Sequence, residues 1–565
     1  MRVEIGAKTA VGESAAIGDV LGEGEDSVPQ KSALQKTGQL NSKTRTRSRL
    51  RKVLWIVGTL TVFLILPHMG GAGQSLPRLP RLMIDQAPLT LNPRMAQDAY
   101  GQKLGALFFR ALTRIDVNLQ PQPDLAESWS LSRDGLEWRF KIRQGLKDQK
   151  GQSIVAADVV ECLEQYRAGK PTSVLVAQMD SWKGTRAQSG TVVLSLSHPD
   201  PYLARNISLM RFFRTSSGSV ACQDPGVRMN EMIGSGRYFP EHWEVRASDD
   251  LIRVSSIEQN RGPVEIQVFR SDHQRMLKLL NGDTDAMLNG LSLSKERWIQ
   301  KNHSDRFRVL ERPATTMSYL AFNLKDPILS RKEVRQAIAL AIDRASIVRY
   351  KLHGFCELAG SLVAPSLEGG LQGADLAYDP AKAEALLDAA GYRRGSDGVR
   401  LRFKYRTTPV REGYESGLLF QEMLKKIGIE LELEVSEQAV FLAKIIQGQF
   451  QMYSSRWVGV SDTSILYRTM HSKNPLNRVR YADQEMDRVL EKMMAEPDAK
   501  KRSELAFVAQ RKMLDDLPYV PLWYWNYTLI LKKHADWPEF SPDQISGTGS
   551  LEPVMDYLSE RGTVK

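Results

Sequence analysis

The sequence predicts a mixed α/β fold in which helices pack against a sheet, and three stretches carry that prediction. Residues 136–142 alternate apolar and charged side chains, as a half-buried strand does. Residues 401–405 and Ile429–Val435 alternate in the same way, and they flank a helical stretch that Gly428 ends. Because strand, helix and strand follow one another along the chain, we expect helices to cover the sheet.

Helix boundaries are indicated at two further places. Residues 330–333 match a capping box, and the stretch behind it repeats apolar residues at helical spacing from Val334 to Ile342. Asp379 and Pro380 are predicted to open another helix, which Gly391 ends. The other elements predicted are helices at 156–167 and 505–514 and strands at 192–196, 450–455 and 520–531.

A single long uncharged apolar run lies near the start of the chain, at residues 53–66. Its fourteen residues are few for a membrane span, which needs about 20, and suit the core of a signal peptide, which has roughly 7–15. Eight basic and no acidic residues at 31–52 favour a cytoplasmic N-terminus. We therefore predict a disordered basic leader at 1–52 and a signal peptide or membrane anchor at 53–73, with a buried core helix as the third alternative.

Composition places the remainder of the chain among ordinary soluble proteins. The chain has 565 residues, of which 42% are hydrophobic and 25% charged, and this is enough for two or three domains. The net charge of +11 comes from dispersed basic residues, so nucleic-acid binding is not expected. Cys162, Cys222 and Cys356 allow one disulfide with one free thiol in an oxidising compartment, or three buried thiols.

The motifs of catalysis and cofactor binding are mostly missing from the sequence. It contains no phosphate loop, no H-E-x-x-H and no C-x-x-C, so we predict neither a metal nor a cofactor. Ser292 and Lys295 match the S-x-x-K pattern of acyl-serine enzymes, but the only Lys-Thr-Gly lies upstream, at residues 36–38. We interpret this match as chance and expect no enzyme; a Ser-Lys hydrolase is the weakest hypothesis.

Aromatic residues mark the candidate binding region. Trp457 follows the predicted strand 450–455 and precedes an irregular loop, so it could line a cleft or pack in the core. The aromatic cluster at 523–527 is expected to belong to the core.

The order of motifs over residues 82–533 resembles bacterial extracellular solute-binding proteins of family 5, the peptide- and nickel-binding components of ABC importers. Each motif is weak alone, and their shared order is the signal. The motifs are TLNP at 90–93, LAESW at 125–129, WRFKIRQG at 138–145, AADVV at 156–160, GSGRY at 234–238, AFN at 321–323, VRQAI at 334–338, AIDR at 341–344 and LPYVPL at 517–522.

This resemblance implies a periplasmic-binding-protein-like α/β fold of type II, with two hinged lobes and an extra α/β domain. Lobe I is expected at 82–112, 230–313 and 527–565, the extra domain II at 113–229, and lobe III at 314–526. It also implies an exported, monomeric protein that captures a peptide-like solute between its lobes and presents it to a membrane permease. The alternative is a membrane-tethered receptor or scaffold on the same fold, without a role in transport.

The resemblance places the ligand at the loop that follows the predicted strand 450–455. Peptide-binding members hold the ligand's amino terminus with an Asp of a W-x-x-D loop, and Val460 stands at that position here. Either Asp462 substitutes for that Asp, or the ligand presents no free amine there. The predicted ligand-binding residues are Arg456, Trp457, Val458, Gly459 and Asp462.

Overall fold

The computed structural model describes residues 78–561 apart from 97, 170–178, 180, 223–230, 246–248 and 374–375. The predicted leader and the apolar run at 53–66 lie outside the described residues. Within the described part of the chain, no helix combines the length and the apolar character needed to cross a membrane.

Nineteen strands form in the described residues. They are β1 (Arg81–Ile84), β2 (Thr113–Ile115), β3 (Pro121–Pro123), β4 (Ala126–Leu131), β5 (Glu137–Ile142), β6 (Trp182–Gln188), β7 (Thr191–Leu196), β8 (Arg214–Thr215), β9 (Met232–Ile233), β10 (Tyr238–Val245), β11 (Asp250–Ser256), β12 (Val264–Val268), β13 (Ala286–Leu288), β14 (Phe307–Phe322), β15 (Cys356–Leu358), β16 (Leu401–Thr407), β17 (Ile429–Val435), β18 (Met452–Trp457) and β19 (Tyr519–Lys532).

The described helices are distributed from residue 99 to residue 559. They are α1 (Ala99–Phe108), α2 (Ala156–Ala168), α3 (Leu203–Asn206), α4 (Asp272–Leu280), α5 (Leu293–Asn302), α6 (Lys332–Ala341), α7 (Arg344–Ser346), α8 (Pro380–Ala389), α9 (Arg411–Lys426), α10 (Gln438–Ile446), α11 (Ser464–Met470), α12 (Gln484–Ala495), α13 (Ala499–Asp516) and α14 (Glu552–Ser559).

One sheet of eleven strands runs through most of the protein, in the order β10-β11-β12-β1-β13-β19-β14-β18-β16-β17, with β15 paired to β19. Strands β1, β12 and β13 pair in parallel, as do β16, β17 and β18, whereas β14 and β19 pair antiparallel with their neighbours. A separate antiparallel sheet, β4-β5-β7-β6, lies in the part predicted as the extra domain.

The long strands β14 and β19 connect the two halves of the large sheet. Their pairing is in register up to Pro313 opposite Asn526 and resumes at Met317 opposite Tyr524, so residues 314–316 are out of register. A second shift follows between Ser318 and Tyr319. Interrupted pairing makes this the place where two long paired strands bend most easily. It coincides with the predicted boundary at residue 314.

Separate cores hold the two ends of the sheet. One large cluster packs β1, β12 and α1 together with the four-stranded sheet, through residues such as Leu82, Phe108 and Phe140. Two others lie at the far end, one on each side of β14, and they include Tyr319 and Leu320 on opposite faces of that strand. Because the apolar cores lie on either side of the interrupted pairing, each end of the sheet is stabilised by its own core.

Most local predictions agree with the structure. Ile429–Val435 is a strand over the predicted residues, and Asp379 caps α8 by accepting from the Lys382 amide at 2.9 Å. The capping box at 330–333 is wrong, because α6 begins at Lys332 and Arg331 occupies the cap without a side-chain hydrogen bond. The Ser330 hydroxyl instead donates to the Pro327 carbonyl at 3.0 Å.

Two of the three cysteines form a disulfide. Cys162 on α2 is bonded to Cys222, sixty residues further along the chain, and Cys356 is free and buried. Of the two alternatives left open by the sequence, the structure therefore selects one disulfide and one free thiol. Disulfides persist mainly in oxidising compartments.

We expect the denatured protein, isolated without reductant, to contain one titratable thiol, and three after reduction. The reason is that Cys356 alone among the three cysteines is unbonded. Titration with a thiol reagent in denaturant measures both numbers. Three thiols before reduction would show that the Cys162–Cys222 bond does not form.

Candidate ligand-binding site

A cavity of about 1670 Å³ lies beside the interrupted pairing of β14 and β19. One wall comes from α1, α4 and α5, and the other from the N-terminal end of α9 and the residues that follow β18. Small-molecule pockets usually enclose about 300–1,000 Å³, so this cavity has room for a ligand of several residues.

Arg456, near the end of β18, lines the cavity. Its guanidinium pairs with the Glu412 carboxylate of α9 at 2.6 Å and stacks over the Trp525 ring, 4.6 Å from the ring centre. Trp525 in turn donates from Nε1 to the Ser318 hydroxyl at 2.9 Å. The ion pair and the ring contact fix the arginine, so this wall presents a rigid polar surface beside an aromatic one.

Lys103 lies on the opposite wall, on α1. Its ammonium lies 5.1 Å from the centre of the Tyr100 ring and 5.7 Å from that of Tyr527. Burial lowers the pKa of Lys103 to about 8, and the nearby Asp85 carboxylate opposes that shift. Tyr100 donates to Asp85 at 2.5 Å, so the aromatic and acidic groups around the amine are held in place.

Glu296 belongs to the same wall, in the first turn of α5. Its side chain is buried, and Oε1 accepts from the Thr528 hydroxyl at 2.6 Å. Burial, together with the charges of Glu311 and Asp272, raises the pKa of Glu296 to about 8, although the Thr528 hydrogen bond opposes the shift. The cavity therefore contains a carboxyl and an amine that both titrate close to neutral pH.

Three of the five predicted ligand-binding residues line the cavity: Arg456, Val458 and Gly459. Gly459 has φ +64°, and no atom lies within 4 Å of the position where a Cβ would stand, so its backbone faces open space. Their contact with a ligand stays a prediction.

The structure places Trp457 in a core rather than on the cavity wall. It is the last residue of β18, 4% exposed, and stacks on Tyr319 with ring centres 5.6 Å apart. Successive residues of a strand point to opposite faces, so Arg456 and Trp457 take opposite faces of β18. In the cluster at 523–527, Trp523 is buried as predicted, whereas residues 525–527 line the cavity.

Asp462 is also not among the residues that line the cavity. Its carboxylate accepts from the Ser464 amide at 2.9 Å and lies 3.9 Å from Nε of Arg205. Beside it, the Tyr202 hydroxyl bonds to the Thr463 hydroxyl at 2.7 Å. Arg205 and Tyr202 come from the predicted extra domain, so these two contacts join that domain to the predicted lobe III.

We expect Asp462→Asn to weaken binding of free and N-acetylated peptides by the same factor. The side-chain oxygen of Asn can still accept from the Ser464 backbone N–H, but the substitution removes the charge opposite Arg205 and so weakens one of the two contacts between the domains. Calorimetric titration of matched peptide pairs measures the effect. Arg205→Met serves as the second variant, since it should reproduce the loss.

A different result would support direct recognition of an amine. If Asp462 held a ligand ammonium, Asp462→Asn would cost about 2–5 kcal/mol for the free peptide and nothing for the acetylated one. Arg205→Met would then not reproduce the selectivity.

The Ser292 and Lys295 pair does not form the contact that a serine nucleophile requires. Both side chains bind the Asp272 carboxylate, Ser292 from Oγ at 3.1 Å and Lys295 through an ion pair. A lysine held by a carboxylate cannot also take the serine's proton. Among the described residues, no group of three or more His, Cys, Asp or Glu is arranged to hold a metal ion.

The fold defines the class of protein: a two-lobed α/β architecture of the periplasmic-binding-protein-like type. The family described as "Bacterial extracellular solute-binding proteins, family 5 Middle" matches residues 120–476 of this chain. The chain belongs to this family, whose members are solute-binding proteins.

Curated relatives agree with this assignment over most of their length. The oligopeptide-binding protein OppA of Bacillus subtilis is 22% identical over 491 residues, which cover 79% of this chain and 87% of the relative. The glutathione-binding protein GsiB of Escherichia coli O157:H7 is 23% identical over 463 residues, covering 77% and 86%.

Solved structures share the fold. HbpA2 of Haemophilus parasuis superimposes with a TM-score of 0.70 at 20% identity, over 84% of this chain and 99% of the other. AppA of Bacillus subtilis, in complex with a nonapeptide, gives 0.64 at 20% identity over 85% and 99%. The predicted fold class, a type II periplasmic-binding-protein-like architecture with two lobes, is confirmed.

Proposed function

We propose that this protein is the exported substrate-binding component of an ABC importer, which captures a peptide-like solute in the cavity and presents it to a membrane permease. The carrying observation is the cavity of about 1670 Å³ beside the interrupted strand pairing. Its size and position suit a ligand enclosed when two lobes close on it.

The chemistry of the cavity wall supports a peptide-like solute. Lys103 and Glu296 offer groups of opposite charge, and Trp525 and Tyr527 offer apolar surface. A peptide carries an amine, a carboxylate, amides and apolar side chains, so it could use each of these groups. The names of the relatives OppA and GsiB, which bind an oligopeptide and glutathione, point the same way.

Two features support an extracytoplasmic location. The Cys162–Cys222 disulfide suits an oxidising compartment, and the apolar run at 53–66 with its basic flank suits export. The run either belongs to a cleaved signal peptide that ends near residue 73 or anchors the protein in the membrane. The anchored form is the alternative: a tethered receptor or scaffold without a transport role.

We further propose that the lobes divide at the predicted boundaries and hinge at 314–316 and 525, where the β14–β19 pairing is interrupted. Lobe I then comprises 82–112, 230–313 and 527–565, with domain II at 113–229 and lobe III at 314–526. Such a protein acts as a monomer, binds no nucleic acid and catalyses no reaction.

Native mass spectrometry of protein isolated from its own cells tests this function, because it detects a co-purified solute and the mature N-terminus together. We expect a bound peptide-like solute and an N-terminus near Gln74. A retained N-terminus would favour the tethered receptor. If no ligand co-purifies and no member of a di- to pentapeptide library raises the melting temperature, the peptide assignment fails.

A further inference from the structure

The carboxyl of Glu296 is a buried group on the cavity wall with half of its hydrogen-bonding capacity unused. The residue is 1% exposed and lies among those that line the cavity. Oε1 accepts from the Thr528 hydroxyl, and the Leu291 backbone N–H also lowers the pKa of the carboxyl, but Oε2 makes no hydrogen bond of good geometry in the described part of the chain. A buried polar atom without a partner costs roughly 1–3 kcal/mol, so its presence calls for an explanation.

The charged groups around Glu296 leave its carboxyl in a negative environment. Asp272, at the start of α4, is already paired with Lys295 of Glu296's own helix. Glu311 on β14 accepts from the Asn526 amide at 3.3 Å, and both Glu311 and Asp272 raise the pKa of Glu296. The positive charge of Arg297, on the same helix as Glu296, partly offsets the rise in the pKa of Glu311. No ion pair joins Glu296 to a basic residue among the described residues.

We propose that Glu296 binds a cationic group of the solute, a protonated amine or a guanidinium, through its unpartnered Oε2. This inference rests on the proposed function, since it concerns the ligand of the same cavity. An ammonium would donate the hydrogen bond that Oε2 lacks and supply the positive charge missing from this wall. This subsite is distinct from Asp462, whose carboxylate already faces Arg205.

Binding of a cation at Glu296 is expected to release the proton of its carboxyl. The free carboxyl, with a pKa raised to about 8, holds a proton at neutral pH. A cation at Oε2 favours the ionised form, so the proton leaves to solvent as the ion pair forms. Affinity for a cationic solute should therefore rise about tenfold for each pH unit between pH 6 and about 7, while the solute itself stays charged.

The test compares Glu296→Gln with the wild-type protein on matched peptide pairs. The probes are di- to pentapeptides that bind the wild type, each measured as the free amine and as the N-acetyl derivative, and with lysine or norleucine in the chain. We expect Glu296→Gln to lose at least tenfold in affinity for the cationic member of one pair and less than twofold for its neutral partner. The pH dependence of binding and the release of close to one proton should vanish in the variant.

Glu504→Gln is the control, because Glu504 on α13 is exposed and is not among the residues that line the cavity. It should leave both members of each pair within twofold of the wild type. Glutamine has the shape of the neutral carboxyl, so the Glu296 variant is expected to fold.

Two results would overturn the proposal. One is an equal loss for cationic and neutral partners in Glu296→Gln, which would assign Glu296 a structural role. The other is a co-purified solute without any amine or guanidinium, which would leave the solute-binding function intact. If no peptide binds at all, the peptide assignment fails instead. The role of Glu296 is then tested with the amines putrescine and agmatine and with uncharged butanol. A loss of affinity in Glu296→Gln for the amines alone would support the cation subsite, and an equal loss or none would overturn it.

Discussion

Replacing Glu296 by Gln is expected to raise the free energy of unfolding of the ligand-free protein by about 3–5 kcal/mol above pH 8. The residue is 1% exposed, and burial together with Glu311 and Asp272 raises the pKa of its carboxyl to about 8. Keeping such a group ionised inside the protein costs free energy, because the charge loses its water. Glutamine carries no charge, has nearly the shape of glutamate and keeps an oxygen that can accept from the Thr528 hydroxyl.

The direction of the pH dependence follows from the raised pKa. Below about pH 4.3, the ordinary value for a glutamate, the carboxyl is neutral in both the folded and the unfolded chain and contributes no penalty. Between that value and about 8 the unfolded chain loses its proton and the folded chain does not, so stability falls as pH rises. Above about 8 the penalty is constant.

Urea unfolding at half-unit steps from pH 5 to pH 9 measures this effect. The difference in the free energy of unfolding between Glu296→Gln and the wild type should be small at pH 5 and grow until about pH 8. The exposed Glu437 provides the control, since Glu437→Gln should shift the curve by less than about 0.5 kcal/mol at every pH. If the free energy of unfolding varies with pH in the same way in the Glu296 variant and the wild type, the Glu296 carboxyl ionises as an exposed one does.

The second large effect is expected at Trp457, where substitution by Ala should cost about 3–5 kcal/mol of stability. The ring is 4% exposed, stacks on Tyr319 at an interplanar angle of 18°, and has the Arg478 guanidinium 5.5 Å from its centre. Removing it leaves a cavity that the surrounding aromatic cluster cannot refill, so both the buried area and the ring contacts are lost.

Val458 offers a matched control for Trp457, because it follows directly in the chain, is 38% exposed and lines the cavity. Val458→Ala should change the free energy of unfolding by less than about 0.5 kcal/mol. Chemical denaturation followed by circular dichroism compares the two variants, with ligand affinity measured alongside. If Trp457→Ala weakens binding without lowering stability, Trp457 belongs to the cleft and our placement is wrong.

Period-two alternation could have separated Trp457 from its neighbours before the structure was known. The sequence predicts a strand at 450–455, which ends before Trp457, whereas β18 extends to Trp457 itself. With the strand end placed two residues later, Arg456 and Trp457 fall on opposite faces. Strand ends are poorly determined by local pattern, because the last pairs depend on the neighbouring strand, here β14.

Glu296 and Lys103 could not be recognised from the sequence. Glu296 follows the Ser292–Lys295 match that we interpret as chance, and Lys103 stands in a mostly apolar helix, so neither residue belongs to a motif that marks a ligand site. Their significance comes from burial on one cavity wall, where Glu296 meets Thr528, 232 residues away, and Lys103 meets the ring of Tyr527. Contacts between residues so distant in the chain depend on the packing of α1 and α5 against β19.

The sequence by itself determined the α/β class, the family and the strands and helices that have a clear period, because alternation, caps and glycine stops act between near neighbours. Tertiary structure alone decided that Cys162 pairs with Cys222, that Asp462 faces Arg205, and that Glu296 lies buried beside the cavity. These are long-range events: which residues meet, and how much water reaches them, is set by the packing of the assembled sheet and its cores. Burial then gives an ordinary glutamate a carboxyl that titrates near neutral pH.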